Sequence, residues 1–497
     1  MAEKILTAAI NGLSAEIVQI EADSGNGEFG QIAIVGLPDT AISEARDRVK
    51  SALKNCGQSY PKRKITVNLA PAHLKKKGSG YDLPIALCIL SLTNNFKFNF
   101  KKALFCGELS LDGEVRPLQS VLPLIIAAQQ AGLTTAFVPS LNVAEASLVP
   151  NIEIYPLVSL IETLNYLQGK KSLPIKPTTI ICPTETTLNP WRDIKGQQQA
   201  KRALILAASG GHHLLLTGPP GSGKSLLAAS LPFIMPDLET EQQLEVAKIY
   251  SIAGEYSKIS QNLKRPPFRA PHHNASLAAL IGGGHGPKPG EITLAHHGIL
   301  FLDELPEFSR IAIDSLRQPL EQKKILISRA EQHVFYPAAF LLIAAMNPCP
   351  CGYLGDSRQS CCCSATAIQR YQNKISGPIL DRFDLQLIVP RLSLQDLTEQ
   401  TNNVTPPIAT IQAARQKQLT RQGRINGQAE NKQVQLWQNE NPQATKLALK
   451  AADRFNLSAR AYNRLFKLAK TIADLEDLDY IQPTHIAEAL SYRLQPN

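Results

Sequence analysis

One segment constrains the fold of this chain more than any other, because it joins two apolar runs through a glycine-rich loop. Residues 212–231 read HHLLLTGPPGSGKSLLAASL, in which Leu214 to Leu216 predict a buried strand and SLLAASL predicts a helix. The loop fits the pattern G-x-x-x-x-G-K-[ST], whose backbone N–H groups wrap a polyphosphate at the positive end of a helix. A chance glycine-rich turn is the weaker interpretation, because strand and helix flank the loop in the required order. The segment therefore predicts an α/β core with a phosphate site.

The loop supplies the predicted ATP contacts. Lys224 is expected to reach the β and γ phosphates, and Ser225 is expected to coordinate Mg²⁺. The predicted ATP-binding residues are Gly218, Pro219, Pro220, Gly221, Ser222, Gly223, Lys224 and Ser225.

A carboxylate pair follows a second apolar run. HHGILFLDELPEF (296–308) places Asp303 and Glu304 directly after the strand-like ILFL. Asp303 is predicted to hold Mg²⁺ through water, and Glu304 to polarise the attacking water. Such a pair often marks only a strand end, but its place downstream of Lys224 in one α/β stretch favours ATP hydrolysis.

Two polar residues near later strands are further candidates. Asn347 ends the apolar run FLLIAAMN, where an amide can either orient the water or cap the strand turn. Arg382 lies between Asp381 and Asp384, so a local ion pair competes with a role in stabilising transition-state charge.

An arginine near the C-terminus is the last candidate for this site. Arg460 opens a predicted helix after Ser458 and could close on the phosphates of its own subunit. Arg464, one helical turn further on, is the competing candidate.

Composition and pattern divide the 497 residues into about three domains. Alternating strands and helices predict an α/β domain over 1–165, with an amphipathic helix over 39–57. Proline, glycine, serine and threonine mark a linker over 166–190. A second α/β domain covers 191–392, and a helical pattern covers 393–497. The strand-like segments of the first domain are QIAIVGL (31–37), KITVNLA (64–70) and TTAFVPS (134–140).

Nine cysteines are unevenly spread, and five of them lie between residues 349 and 363. Pairs at Cys349/Cys351 and Cys361/Cys363 form C-x-C…C-x-C, a density of thiolates that suits tetrahedral Zn²⁺ in a reducing compartment. Reduced, unligated thiols are the alternative, because the spacing is tighter than the usual C-x₂-C knuckle.

Five segments together resemble the magnesium-chelatase-like AAA+ ATPases, and among them the bacterial ComM (YifB) family. They are GPPGSGKS, ILFLDELPEF, AAMNPCPCG, ISGPILDRFDL and LSARAYNRLFKLAKTIADLE. The resemblance implies a central AAA+ P-loop domain with a C-terminal helical lid, in a ring expected to be a homo-hexamer with ATP between subunits. It implies Asn347 as sensor 1, Arg382 as an arginine finger in trans, and Arg460 as sensor 2. It also favours the four paired cysteines over Cys362.

The function implied by the resemblance is that of an ATP-dependent DNA helicase, which promotes branch migration of recombination intermediates in natural transformation. Residues 265–298 resemble a helix-2 insert, and residues 317–340 resemble a pre-sensor-1 hairpin of two short strands. Such hairpins line the pore of related DNA-translocating rings. Lys323, Lys324 and Arg329 are therefore predicted to contact phosphates of single-stranded and branched duplex DNA without reading sequence. A solvated basic loop is an equal alternative for any one of them.

The first domain resembles the Lon-protease-type domain, through GELSLDGEVRPLQSVLPLIIAAQQAG (107–132). Such proteases use a Ser–Lys dyad, but the nucleophile position here is Gly80 and the lysine position is Leu122. Ser79 is adjacent to Gly80 and has no obvious lysine partner, so we expect a proteolytically inactive domain. Its basic stretch 61–77 is either a nucleic-acid surface or a solvated edge.

Charge and hydropathy limit the partners. Lys plus Arg number 52 against 42 Asp plus Glu, a net charge of +10 that is compatible with a polyanionic partner or with a solvated basic surface. No apolar run reaches the roughly 18 residues of a membrane span, and the N-terminus lacks the apolar core of a signal peptide, so we expect a cytoplasmic protein without a membrane partner.

Two alternatives to a DNA motor stay open. A chelatase-type motor would remodel a protein partner, and the Lon-like domain argues against it. An ATP-dependent protease is disfavoured by Gly80 and Leu122.

Overall fold

The structure is a computed structural model that describes residues 3–25, 31–58, 63–94, 96–172, 189–283, 288–329, 332–392 and 406–493. The chain forms two compact units. Unit 1 consists of Met1–Pro183 and Thr240–Asn262, and unit 2 consists of Thr184–Glu239 and Leu263–Asn497. A segment from the middle of the sequence thus packs with the N-terminal part of the chain. Helix α5 of unit 1 ends at Leu167, two residues into the predicted linker, and residues 173–188 of that linker lie outside the described residues.

Unit 1 is built on a mixed seven-stranded sheet in the order β3-β4-β2-β1-β5-β8-β9. The strands of this sheet are β1 Ile5–Asn11, β2 Ser14–Gly25, β3 Ile32–Val35, β4 Lys64–Ala70, β5 Ala103–Phe105, β8 Thr135–Pro139 and β9 Glu153–Leu157. Two further short strands, β6 Glu108–Leu109 and β7 Val115–Arg116, pair with each other. The helices of unit 1 are α1 Thr40–Asn55, α2 Asp82–Leu90, α3 Val121–Gln130, α4 Val143–Ala146, α5 Leu160–Leu167 and, from the second segment, α8 Thr240–Ala253. The strands predicted at 31–37, 64–70 and 134–140 are present as β3, β4 and β8.

Helix α1 shows why this sequence forms the predicted element. The Asp39 side chain accepts a hydrogen bond from the Ile42 N–H at 2.9 Å, which satisfies one of the free N–H groups of the first turn. Ile42, Ala45, Val49 and Ala52 recur at helical spacing and are buried. Helix α8 packs against α3 in the same unit, where the Ser120 hydroxyl donates to the Ser251 carbonyl at 3.1 Å.

Unit 2 contains the remaining elements. Its strands are β10 Leu214–Thr217, β11 Phe268–Arg269, β12 Gly282–Gly283, β13 Lys288–Pro289, β14 Ile299–Leu302, β15 Lys324–Arg329, β16 Gln332–Pro337, β17 Leu341–Met346 and β18 Leu385–Ile388. Its helices are α6 Gln198–Gly210, α7 Lys224–Ser230, α9 Leu277–Ile281, α10 Glu291–Leu294, α11 Arg310–Ser315, α12 Arg317–Gln322, α13 Ala365–Gln372, α14 Gly377–Leu380, α15 Ile408–Gln422, α16 Asn431–Glu440, α17 Pro442–Arg454, α18 Ala459–Leu475 and α19 Pro483–Ser491.

A five-stranded parallel sheet forms the centre of unit 2, in the order β11-β14-β17-β10-β18. Every residue of β10, β14 and β17 is buried, as expected for parallel strands covered on both faces. Because these three strands run parallel, their carboxyl ends lie at one edge of the sheet. Ligands of open parallel sheets bind beyond this edge.

The C-terminal helices share an apolar core with the sheet, and the predicted α/β fold with a helical C-terminal region is confirmed. Helix α18 begins at Ala459, where the Ser458 hydroxyl caps the Ala461 N–H at 3.2 Å. Helix α19 follows it. Among the described residues, no helix combines the length and apolar character needed to cross a bilayer.

Candidate active site

The phosphate-binding loop connects β10 to α7 and depends on three glycines. Gly221 and Gly223 have φ of +76° and +87°, a region that residues with a side chain rarely adopt. Gly218 packs against Val389, the residue after β18. A Cβ on Gly218 would lie 2.3 Å from the Val389 carbonyl oxygen. The loop therefore makes a tight turn that requires glycine at these positions, and it leads directly into α7.

Lys224 is held at the centre of this loop. Its Nζ donates to the carbonyl oxygens of Gly218 at 2.8 Å and Pro219 at 2.9 Å, and to Asn347 Oδ1 at 3.3 Å. Burial lowers the pKa of Lys224, and the charges of Asp303 and Glu304 offset only part of this shift. The ammonium thus links the loop to Asn347, the residue after β17.

Ser225 and Asp303 meet beside the lysine. The Ser225 hydroxyl donates to Asp303 Oδ2 at 2.7 Å. Octahedral Mg²⁺ binds oxygens at about 2.1 Å, which separates adjacent ligand atoms by about 3 Å. The pair is therefore chemically and geometrically suited to Mg²⁺, either directly or through water.

Glu304 follows β14 in a strained conformation. Its φ is +51°, which is uncommon for a residue with a side chain and is found at functional positions. Glu304 Oε2 lies 3.2 Å from His273 Nδ1, and its side chain is about half exposed. Sequence reasoning did not identify His273, because no local pattern connects the HH pair after β11 with the end of β14.

The two candidate arginines lie together on one carboxylate. Arg382 Nη2 is 2.6 Å and Arg460 Nη2 is 3.3 Å from Glu321 Oε1. Arg382 also donates to the Pro378 carbonyl oxygen and is almost fully buried. The alternative that Arg382 pairs with its neighbours Asp381 and Asp384 is thus not what the structure shows. Glu321, at the end of α12, was not predicted from the sequence.

Arg464 has a different environment from Arg460. Its Nη1 contacts Asp384 Oδ1 at 3.0 Å, and Asp384 Oδ2 lies 3.3 Å from His212 Nδ1. Burial raises the pKa of Asp384, but the charge of Arg464 and the hydrogen bond from His212 outweigh it and hold the pKa far below its ordinary value. Arg464 is therefore committed to a buried ion pair, whereas Arg460 is exposed.

The four paired cysteines form one cluster between β17 and α13. Their Sγ atoms all lie within 4.8 Å of one another, with Cys349–Cys351 at 3.4 Å and Cys349–Cys361 at 3.6 Å. A tetrahedral site with Zn–S bonds of about 2.3 Å separates sulfur atoms by about 3.8 Å. Backbone N–H groups of Tyr353 and Cys362 lower the pKa of Cys351, whereas burial and the neighbouring thiols raise the pKa of Cys361 and Cys363. The donor set therefore fits zinc, and it includes Cys363 but not Cys362.

The predicted hairpin is present as β15 and β16, paired in antiparallel register. Lys323 lies at its base with φ of +55°, and burial of the amine, followed by the charge of Arg424, lowers its pKa. Lys324 Nζ lies 5.3 Å from the centre of the Phe335 ring, which is more than half exposed. Arg329 ends β15, and the tip at residues 330 and 331 lies outside the described residues.

In unit 1, the side chain of Ser79 is paired with an acid and not with a lysine. The Ser79 hydroxyl donates to the Glu108 carboxylate, and Leu122 is buried in α3. Lys76, the lysine three residues before Ser79, is buried with its Nζ bonded to the carbonyl oxygens of Gly36, at 2.9 Å, and Pro71. One of the lysines of the basic stretch 61–77 is thus unavailable to a nucleic acid.

Three family models match the chain in order. The model described as subunit ChlI of Mg-chelatase matches residues 20–142, and the model described as magnesium chelatase, subunit ChlI, matches residues 190–397. The model of the ChlI C-terminal region matches residues 401–493. With the P-loop geometry, these matches define the class as a magnesium-chelatase-type AAA+ ATPase.

Full-length relatives specify the family within that class. Competence protein ComM of Haemophilus influenzae is 42% identical over 98% of this chain and 97% of its own length. YifB of Salmonella typhimurium is 41% identical over 98% of this chain and 96% of its own length. The chain belongs to the ComM (YifB) family, which confirms the resemblance found in the sequence.

The N-terminal region has a second, weaker similarity. An archaeal Lon protease of Thermococcus kodakarensis is 26% identical over 31% of this chain and 25% of its own length. A family model named for a chelatase subunit also matches residues 20–142. The N-terminal domain therefore does not argue against a chelatase-type motor in the way that the sequence alone suggested.

Proposed function

We propose that the protein is an ATP-driven motor that moves on DNA and promotes branch migration of recombination intermediates. The observation that carries the ATPase part is the contact of Ser225 with Asp303, beside Lys224 and the strained Glu304. The DNA part is supported by the basic charge, the hairpin, and the similarity to a protein called competence protein ComM.

Each residue of the site has a role in this proposal. Lys224 and the loop N–H groups bind the phosphates, and Asn347 positions Lys224 and the attacking water. Ser225 and Asp303 would hold Mg²⁺, which neutralises charge on the β and γ phosphates when bound. Glu304 accepts a proton or hydrogen bond from the attacking water, and His273 sets the direction of its carboxylate.

Arg382 and Arg460 are proposed to reach the ATP that a neighbouring subunit binds and to stabilise charge on its transferred phosphoryl group. Both contact Glu321 Oε1, so a single anion that replaces this carboxylate could engage both guanidinium groups. This placement supports a common target for the two arginines, and we therefore favour Arg460 acting in trans over Arg460 acting on its own subunit. A homo-hexameric ring is the arrangement that would present them to each ATP.

The exposed face of the hairpin is the proposed DNA contact. Lys324, Leu326 and Phe335 are exposed, and Leu326 pairs directly with Phe335 across the two strands. A cation beside an aromatic ring suits the phosphates and bases of single-stranded DNA. Lys323 and Arg329 are proposed to add phosphate contacts without sequence preference.

A structural Zn²⁺ is proposed for Cys349, Cys351, Cys361 and Cys363. When bound, the ion cross-links a loop that would otherwise lack regular structure, and it has no place in the hydrolysis itself.

The test is the rate of ATP hydrolysis with and without single-stranded, duplex and four-way-junction DNA. Stimulation by branched DNA that Glu304→Gln abolishes supports the proposal. Lys324→Ala should lower the stimulation, whereas Lys450→Ala, an exposed lysine on α17, should not. A rate that is indifferent to every DNA, without salt-sensitive DNA binding, would refute the proposal and direct the search to a protein client.

A further inference from the structure

The cysteine cluster lies directly against the phosphate-binding loop. Gly352, the residue after Cys351, has φ of +88°, and a Cβ built there would lie 2.7 Å from Cδ and 2.8 Å from Cγ of Pro220. Pro220 is the third residue of the phosphate loop. The cysteine loop can therefore pack on Pro220 only because residue 352 has no side chain.

An arginine makes a second connection between the same two loops. Arg391 Nη2 donates to the Pro220 carbonyl oxygen at 3.2 Å and pairs with Asp356 Oδ2 at 3.4 Å. Asp356 lies between the two cysteine pairs, and its side chain is 1% exposed. The Arg391 guanidinium also lies 5.9 Å from the centre of the Tyr353 ring. Pro220 is thus contacted by the cysteine loop through Gly352 and, indirectly, through Asp356.

The third connection is covalent. Asn347, which accepts a hydrogen bond from Lys224 Nζ, precedes Cys349 by two residues. Between β17 and α13 the chain is fully described and contains no helix or strand. Without regular hydrogen bonding, the shape of this loop depends on its cross-links, and closing such a loop restricts its conformational freedom.

We propose that the four-thiolate site, when it holds zinc, fixes the shape of the phosphate-binding loop, with Gly352 and Arg391 as positioning residues that transmit this constraint to Pro220. The inference rests on the ATP and zinc sites of the proposed function and adds that ATP affinity depends on zinc. A loop freed from its cross-link presents the backbone N–H groups that follow Pro220, from Gly221 to Ser225, in several arrangements. Only a fraction of these binds phosphate, so the apparent affinity falls by that fraction.

Two glycines of the cysteine loop provide a matched test in the full-length protein. Gly352 and Gly355 both have positive φ, of +88° and +77°, so alanine strains the backbone at either position. A Cβ at Gly355 meets nothing within 4 Å, whereas a Cβ at Gly352 collides with Pro220. We expect Gly352→Ala to weaken binding of a fluorescent ATP analogue at least tenfold, with an unchanged zinc content by mass spectrometry. Gly355→Ala should stay within about twofold of the wild type.

Two arginines of the same region provide a second pair. Arg391→Ala removes the donor to Pro220, and we expect it to weaken nucleotide binding at least fivefold. Arg358 instead donates to the Leu392 carbonyl oxygen at 3.0 Å, so Arg358→Ala should bind nucleotide as the wild type does. Release of zinc by a thiol-specific mercurial, with Mg²⁺ in excess, should weaken binding, and removal of the mercurial with added Zn²⁺ should restore it.

The inference is overturned if Gly352→Ala binds the analogue as tightly as Gly355→Ala, or if zinc-free and zinc-loaded protein bind it equally. If DNA does not stimulate ATP hydrolysis, only the proposed motor function fails. The inference about zinc is tested separately, because nucleotide binding is measured directly and without DNA.

Discussion

The two arginines of helix α18 should separate cleanly into one that stabilises the fold and one that serves ATP hydrolysis. Arg464 pairs with Asp384, whose side chain is 7% exposed, whereas Arg460 and its partner Glu321 have side chains that are 59% and 50% exposed. Removing one partner of a buried ion pair leaves an uncompensated charge and costs about 3–5 kcal/mol. Breaking an exposed pair costs about 0–1 kcal/mol.

Arg464→Ala should therefore lower the free energy of unfolding of unit 2 by about 3 kcal/mol, the lower end of the range, because His212 still contacts Asp384. Arg460→Ala should leave it within about 1 kcal/mol and should lower the rate of ATP hydrolysis.

Tryptophan fluorescence during urea unfolding measures this difference selectively. The chain has two tryptophans, Trp191 and Trp437, and both are buried in unit 2. The signal therefore follows unit 2 even if unit 1 unfolds separately. At an m-value of about 3 kcal/mol/M, a loss of about 3 kcal/mol lowers the midpoint by about 1 M urea.

A double variant tests the cause. In Asp384→Asn/Arg464→Ala the buried carboxylate is gone, so the combined loss should be smaller than the sum of the single losses by at least about 1 kcal/mol. The reasoning is refuted if Arg464→Ala destabilises unit 2 no more than Arg460→Ala does.

Three further outcomes are expected. Glu304→Gln should lower the rate of ATP hydrolysis by about 10²–10⁴-fold, the usual contribution of a general base, with nucleotide affinity retained in the binding titration. Mixing Glu304→Gln with Arg382→Ala should restore part of the activity that both lack, because an arginine acting in trans meets an intact Glu304 at the mixed interface; no gain on mixing would place Arg382 in cis. Burial lowers the pKa of His213 to about 4, so the unfolded state, in which the pKa of histidine is about 6.5, takes up the proton first. The stability that the neutral, buried His213 contributes is then present above about pH 6.5, and it is lost as the pH falls towards 4. Urea midpoints at pH 7 and pH 5 should differ less in His213→Asn, and an equal difference would contradict the assignment.

The catalytic motifs could be predicted from the sequence because each is a local pattern. The loop 218–225 and the carboxylates at Asp303 and Glu304 follow short buried strands, and strand, turn and helix formation at that scale depends mainly on neighbouring residues. The parallel sheet then brings the ends of β10, β14 and β17 to one edge, which is why the predicted residues meet.

Partner choice could not be predicted in the same way. The acids next to Arg382 in the sequence suggested a local ion pair. In the structure, Arg382 instead pairs with Glu321, and Asp384 pairs with Arg464. A carboxylate next to an arginine in the chain has no geometric advantage over one that packing brings within 3 Å.

The sequence by itself determined the class of the fold, the order of its elements and the chemistry available at the phosphate loop, because periodicity, turn residues and short motifs act over a few positions. Only the tertiary structure decided which residues act together. It placed Thr240–Asn262 with the N-terminal unit, two arginines on Glu321, and Gly352 on Pro220. These contacts join segments far apart in the chain, and their energies come from burial and charge pairing that exist only once the chain has packed.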